Sequence, residues 1–268
     1  MIYKTTDNQD LYYEINGNIR SGKQLVFLNG LSQSTLAWGL LLPAFEKDYK
    51  IILCDFIFQG QSDKKGDWRT FDQHAEDISG LLKSISDKPF TIIGISYGSL
   101  VAQHLALNHP ETVDKLVLLS TFAHKTPYFE AIELAWMGAL DSGGYPLLLD
   151  VMLPTVLGES YFNNPLIPLF NLKSTRAGIN TDASALRKLM KATKERADFR
   201  QELQSVHKPS LIIHGEKDLL LPLHMAKAVT QAIPGSRFEI IPGAGHTLNL
   251  EAAPQTAALI LSFLNEHN

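Results

Sequence analysis

The segment TIIGISYGSLVAQHLAL, residues 91–107, narrows the choice of folds more than any other part of the chain. Thr91, Ile92 and Ile93 are β-branched and favour a buried strand. Past Ser96 the apolar residues Leu100, Val101, Leu105 and Ala106 return at helical spacing. Ser96 therefore stands at a strand-to-helix corner, which strains its backbone and crowds the residues two places away on either side. Gly94 and Gly98 hold those places, and neither has a Cβ to clash. With 18 glycines and as many serines in 268 residues, a Gly-x-Ser-x-Gly pattern arises by chance roughly 0.08 times. The corner reads as a device for presenting a nucleophilic serine hydroxyl.

Apolar runs of strand length recur at 24–30, 50–56, 90–96, 115–121, 210–215 and 237–243, each followed by turn residues. Helical patterns lie between them; Phe71, Ala75, Ile78, Leu82 and Ile85, for example, share one face. This alternation predicts an α/β fold, a mostly parallel sheet flanked by helices, with ligands outside the carboxyl ends of the strands. Residues 2–15 alternate loosely and run into Asn-Gly-Asn, which predicts an opening β-hairpin. Between His124 and His207 the strand signal disappears and Leu, Met, Ala, Phe and Tyr abound. A structureless loop of that length is improbable in a compact domain, so the stretch is expected to be an inserted helical cap. The expected organisation is a core of residues 1–123 and 208–268 with a cap of 124–207.

Several classes of function are disfavoured. Lys plus Arg number 24 against 28 Asp plus Glu, and no basic run exceeds a pair, so nucleic acid is not an expected partner. The one cysteine, Cys54, cannot form an internal disulfide and reads as a small buried hydrophobe. The amino terminus lacks a basic start followed by an apolar core, so no signal peptide is expected. The longest apolar stretch, YPLLLDVMLPTVLG, is broken by Asp150 and Pro154 and is too short for a bilayer. The expectation is a soluble, cytoplasmic protein without a membrane span; oligomeric state is not legible. No H-E-x-x-H, paired-cysteine or phosphate-loop motif occurs, so no metal and no organic cofactor is expected.

A serine hydroxyl is a weak nucleophile and needs a base, usually histidine, itself held by a carboxylate. The strand SLIIHG runs into Glu-Lys-Asp, which offers Glu216 and Asp218; the strand RFEIIPG runs into Ala-Gly-His, which offers His246. The order Ser96, Asp218, His246 is that of α/β-hydrolases rather than of trypsin-like or subtilisin-like enzymes. Among the other histidines, His104, His109, His207 and His214 lie where packing or capping is the expected role. His124 follows the strand after the elbow, at the cap entrance, and is a candidate for touching substrate.

Three motifs in this order, GISYGS, HGEKDLLLP and GAGHTLNLE, resemble those of the α/β-hydrolase superfamily over essentially the whole chain. The resemblance implies that Asp218, in the HG-x-x-D turn, is the acid in preference to Glu216, and that Gly245-His246 carries the base. The implied oxyanion hole is the backbone N–H of Tyr97, directly after the serine, and that of Leu31 in the loop NGLSQS. Two departures stand out: Asn29-Gly30 where His-Gly is common, and Ile57-Phe58 in DFIFQGQSD where Arg-Gly is common. Together with GAGHTLNLE they are similar to the branch containing 3-(3-hydroxyalkanoyloxy)alkanoate synthase and 3-hydroxyacyl-carrier-protein:coenzyme A transacylase.

The expected partner is a small-molecule ester or acyl substrate, and the expected activity a serine carboxylic-ester hydrolase acting on small to medium acyl esters or lactones. Two alternatives stand beside it: an acyltransferase moving (hydroxy)acyl chains to a hydroxyl or thiol acceptor, and a ligand-sensing protein that keeps the triad but turns over slowly. A serine at the elbow excludes relatives that use an aspartate nucleophile there; cofactor-free haloperoxidases and hydroxynitrile lyases keep the serine and stay open. Phe129, Trp136, Met137, Leu147, Met152 and Phe170 are expected to form the cap core and its seam, with a subset lining an acyl pocket. The expected pocket set is Trp38, His124, Phe129 and Trp136.

Overall fold

The computed structural model describes residues 1–180 and 182–266. The strands are β1 (Ile2–Lys4), β2 (Asp10–Gly17), β3 (Gln24–Leu28), β4 (Lys50–Cys54), β5 (Phe90–Ile95), β6 (Val113–Leu119), β7 (Ser210–Gly215) and β8 (Arg237–Ile241). They make one sheet in the order β1-β2-β4-β3-β5-β6-β7-β8. β1 pairs antiparallel with β2, and β2 with β4; every other pair is parallel. From β3 the chain steps first to β4 on one side and later to β5 on the other. The loops after β3 and β5 thus part at the switch point where ligands of open α/β sheets bind.

The opening hairpin forms, but Asn16-Gly17-Asn18 ends β2 rather than turning the hairpin. The turn is Thr5–Gln9. There the Thr5 hydroxyl accepts the Gln9 N–H at 2.9 Å and donates to Asp7 at 2.6 Å, while Asn8 takes φ 63°. These local side-chain bonds make a tight turn without glycine.

The helices are α1 (Phe71–Ile85), α2 (Tyr97–Asn108), α3 (Pro127–Val156), α4 (Glu159–Asn163), α5 (Leu169–Ile179), α6 (Ala183–Glu195), α7 (Leu223–Ala232), α8 (Leu248–Glu251) and α9 (Ala253–Glu266). α1 begins at a capping box in which the Thr70 hydroxyl accepts the Gln73 N–H and the Gln73 side chain accepts the Thr70 N–H. Alternate residues of the central strands feed two cores. Val26, Leu28, Ile52 and Ile92 pack with α1, α2 and α7 on one face. Leu25, Phe27, Ile51 and Ile93 pack with Trp38, Phe45 and α9 on the other. That period of two, with both faces covered, explains why these strands read as continuous apolar runs.

Among the described residues, only helices and turns lie between β6 and β7. α3 kinks at Gly144 (φ 65°, ψ −162°), two residues before Pro146, so it is two arms rather than one rod. Phe170 and Leu147, expected inside, lie outside at 80 % and 39 % exposure. α5 turns Leu172 inward, and a residue two positions away on a helix faces nearly the opposite side. Likewise Leu148, Leu149 and Met152 take the inner face of their arm, leaving Leu147 at its edge. No helix among the described residues is long and apolar enough to cross a membrane.

Candidate active site

Ser96 joins β5 to α2 with φ 50° and ψ −116°, a conformation outside the favoured regions for an L-residue. The crowding foreseen at this corner is severe. A Cβ on Gly98 would lie 2.1 Å from the Leu28 carbonyl oxygen, and one on Gly94 would lie 2.4 Å from that of Gly98. The Ser99 hydroxyl donates to the Ser96 carbonyl at 2.6 Å, and the Ser96 N–H donates to Leu119 at 3.0 Å. The corner is therefore braced from both strand and helix. Tyr97 is the first residue of α2, so its N–H has no intrahelical acceptor and points out of the helix end.

Two further turns meet opposite the serine. Gly215 and Gly245 touch closely enough that a Cβ on Gly215 would lie 1.9 Å from the Gly245 carbonyl oxygen. This contact brings Asp218, three residues past β7, to His246, five past β8. His246 Nδ1 and Asp218 Oδ2 are 2.8 Å apart, and both side chains are buried. The other carboxylate oxygen, Oδ1, accepts the Leu220 and Leu221 N–H groups at 3.0 and 2.8 Å. Its orientation is thus set by backbone. Glu216 turns away: its carboxylate accepts the exposed Gly243 N–H at 3.0 Å. His214 sits behind Asp218, 3.5 Å from Oδ2, and its Nε2 bonds the Leu221 carbonyl at 2.8 Å.

Glu251, the last residue of GAGHTLNLE, supports the histidine turn. Its carboxylate accepts N–H groups from Gly158 (2.7 Å), Gly245 (3.0 Å) and Thr247 (3.0 Å), tying the end of α3 to the His246 loop. Burial pushes the Glu251 pKa up, and these three bonds pull against the shift. The Ser120 hydroxyl donates to the His246 carbonyl at 2.7 Å from a strained φ of 47°.

The loop after β3 owes its shape to Asn29. Its Nδ2 donates to the Cys54 carbonyl (2.8 Å) and to Asp55 Oδ1 (3.1 Å), and its Oδ1 accepts the Trp38 indole N–H at 2.8 Å. Gln33 Oε1 accepts the Gly30 N–H at 3.0 Å, and Gln59 Nε2 donates to the Gly30 carbonyl at 2.9 Å. Asp55 is fully buried; burial raises its pKa although it accepts the Thr35 and Gln61 N–H groups. Phe58, in the departure from Arg-Gly, takes φ 80°, backbone that glycine adopts without penalty.

Ser96 and His246 open onto one cavity of about 30 Å³, together with Leu31, Trp136, Met152 and Arg176. Among the described residues neither the Leu31 nor the Tyr97 N–H is taken by another backbone group. A larger cavity of about 260 Å³ adjoins it and shares Gln33, Arg176 and Thr247 as walls. The outer walls are chiefly apolar, including Leu36, Leu40, Ile167 and Leu172.

Of the expected pocket residues, Trp136 lines the inner cavity. The other three lie elsewhere. Trp38 is buried in the opposite core against Phe27, ring centroids 4.9 Å apart, held by Asn29. Phe129 packs on Phe122 at 4.9 Å. His124 lines neither cavity and feels Arg200, Asp198 and His224 instead. Sequence reasoning assigns no role to Arg176, Gln33 or Glu251; Gln33 lies within the NGLSQS loop and Glu251 within GAGHTLNLE, whereas nothing local marks Arg176. Among the described residues no group of three His, Cys, Asp or Glu side chains is arranged to hold a metal ion.

Residues 23–253 match the α/β-hydrolase fold family, and the chain belongs to it. A 2-hydroxymuconate semialdehyde hydrolase from Pseudomonas sp. strain CF600 is 24 % identical over 92 % of this chain and 88 % of that protein. An α/β-hydrolase enzyme from a Medee basin deep-sea metagenome library superposes with a TM-score of 0.89 at 26 % identity, covering 99 % of this chain and 97 % of that one. The enol-lactonase from Burkholderia xenovorans LB400 has the same fold, with a TM-score of 0.89 at 23 % identity over 99 % of this chain and all of that one (100 %). The protein is an enzyme of this family with hydrolase activity of the α/β-hydrolase type.

Proposed function

We propose that the protein is a serine hydrolase that cleaves carboxylic esters, small to medium acyl esters or lactones, through an acyl-enzyme on Ser96. One observation carries this reading: the 2.8 Å contact of His246 Nδ1 with Asp218, beside a cavity that holds both His246 and Ser96. Nδ1–H donates a hydrogen bond to Asp218, which fixes the tautomer and leaves Nε2 as the basic nitrogen on the cavity side. Ser96 Oγ attacks the carbonyl carbon as His246 Nε2 takes the hydroxyl proton. The oxyanion of the tetrahedral intermediate is met by the Leu31 and Tyr97 N–H groups. Collapse expels the alkoxide, which receives the proton from His246; water then repeats the sequence on the acyl-enzyme.

The two cavities together fall at or below the lower end of small-molecule sites, roughly 300–1,000 Å³, which favours a small substrate. Helices α3–α6 act as a cap, residues 124–207, on a core of 1–123 and 208–268, and supply Trp136, Met152, Val156 and Arg176 to the walls of the serine cavity. The relatives named as a hydrolase and a lactonase support this reaction class.

Release of 4-nitrophenol from acetate, butyrate, octanoate and decanoate esters, by wild type and Ser96→Ala, tests it. The expected result is release that falls about 10⁴-fold or more in folded Ser96→Ala, with the shorter chains preferred. Near wild-type release in that variant removes Ser96 from the chemistry.

A further inference from the structure

Around the junction of the two cavities, donor after donor lacks a protein acceptor. The Arg176 guanidinium lines both cavities and makes no hydrogen bond or ion pair among the described residues. Gln33 also lines both; its Oε1 is anchored by the Gly30 N–H, and among the described residues its Nε2 donates to no protein group. The Trp136 indole N–H, in the wall of the inner cavity, is buried and unpartnered. So are the hydroxyls of Ser32, in the wall of the outer cavity, and of Tyr145 behind it.

Buried polar atoms are nearly always satisfied, so the buried Trp136 N–H and the Ser32 and Tyr145 hydroxyls ask for a missing partner. Each can donate, and beside them the half-buried Arg176 guanidinium supplies a fixed cation. Neither cavity has an Asp or Glu in its walls; the titratable side chains there are Arg176 and His246. One unpartnered acceptor, Asn249 Oδ1, belongs to the outer wall alone. The cluster is also held in place. Asn180, one turn past Arg176, donates through Nδ2 to the Ser32 carbonyl at 3.0 Å, which pins the end of α5 to the loop. Ser32 itself sits at φ 58°, a conformation kept only where the surroundings dictate it. Burial pushes the Tyr145 phenol pKa up, and Arg176 and the neighbouring Ser32 hydroxyl oppose that push.

We infer that this junction is an anion subsite that binds a carboxylate carried by the substrate, with Arg176 as charge partner and Trp136 Nε1 and Gln33 Nε2 as neutral donors. The inference rests on the hydrolase reading of the same cavity and narrows its substrate class. A single guanidinium matches a monoanion, and its planar fork suits two carboxylate oxygens. The apolar outer walls then take the uncharged remainder of the molecule.

Two measurements test it. The first is calorimetric binding of butyrate and of its neutral analogue butyramide to wild type, Arg176→Gln and Trp136→Phe. Butyrate is expected to bind more tightly than butyramide, and Arg176→Gln to remove the preference. The second is the ratio of kcat/KM for 4-nitrophenyl hydrogen glutarate to that for 4-nitrophenyl pentanoate, acyl chains of equal length. Arg176→Gln is expected to lower that ratio about 30-fold or more, Trp136→Phe about 5-fold, and Arg176→Lys less than Arg176→Gln. Equal binding of butyrate and butyramide together with a ratio unmoved by Arg176→Gln and Trp136→Phe overturns the subsite, while Ser96-dependent pentanoate cleavage leaves the hydrolase reading standing. Arg176-dependent butyrate binding without cleavage of either ester does the reverse.

Discussion

Two buried histidines in this protein hold a carboxylate through Nδ1, and their surroundings differ. His246 meets Asp218 at 2.8 Å; His104, on α2, meets Asp72, on α1, at 2.7 Å. The difference lies on the other nitrogen. His246 opens onto the cavity that contains Ser96. His104 Nε2 accepts a hydrogen bond from Arg196 Nε at 3.2 Å, and its ring is stacked on Phe199 with centroids 4.1 Å apart. Arg196 donates further to Gln103 (2.7 Å) and to the Ala123 carbonyl (3.3 Å). This second couple is a rivet between the elbow helix and the chain after α6. A histidine–carboxylate pair marks a reactive site only where the remaining nitrogen faces space a substrate can enter.

The carboxylates differ as well. The Asp218 side chain is 0 % exposed and Asp72 64 %. Burial lowers the His104 pKa, with Asp72 resisting and Arg196 assisting, so the ring stays neutral in the fold. Burial likewise pulls Arg196 down to about 9.

The contrast breaks most visibly at Asp218. Asp218→Asn is expected to stay folded and lose about 10⁴ in kcat on a 4-nitrophenyl ester, because the histidine tautomer is no longer fixed. A loss below tenfold would place the acid elsewhere. Next in size is Arg196→Met, which strands His104 Nε2 and Gln103 Oε1. It is expected to cost about 2–5 kcal/mol in urea unfolding while the folded fraction keeps kcat within a few-fold. A large kcat loss at unchanged stability would give the rivet a part in the chemistry.

His74 sharpens the comparison as a buried histidine with no partner on either nitrogen among the described residues. Burial drives its pKa from 6.5 to about 3. The unfolded chain takes up a proton as pH falls below about 6.5 and the folded chain does not, so stability is lost in that window. In His74→Phe the loss is absent. Its stability relative to wild type is expected to rise by about 2 kcal/mol between pH 7 and pH 5, read from paired denaturation curves; a flat difference would show that the ring is solvated. The smallest effect belongs to the exposed carboxylates. Asp72→Asn is expected to cost less than about 1 kcal/mol, and it and Glu216→Gln to leave kcat within about 2-fold, checked with the same ester.

What could be read in advance depended on neighbours close in the chain. The corner at Ser96 needs two glycines at fixed spacing, and the strands between helices need only local period. The turns after β7 and β8 announced a carboxylate and a histidine, although the spacing alone left Glu216 and Asp218 equal. The choice between them is a matter of direction: two backbone N–H groups turn Asp218 inward, while Glu216 caps the exposed Gly243 N–H.

The sequence by itself determined the alternation of strand and helix, the strained serine corner and the order of the three turns that meet beside it. Those features follow from backbone sterics and side-chain period within a few residues. Tertiary structure alone decided that Trp38 supports Asn29 instead of lining a pocket, that Phe170 faces outward, and that Arg176 reaches the serine cavity. Trp38 goes to the far face of the sheet against Phe27 and Phe45, and the other two outcomes depend on how the helices between β6 and β7 lie on the sheet. That placement is set by packing between residues more than a hundred positions apart, as in the bond from Asn180 to Ser32, and no local pattern encodes it.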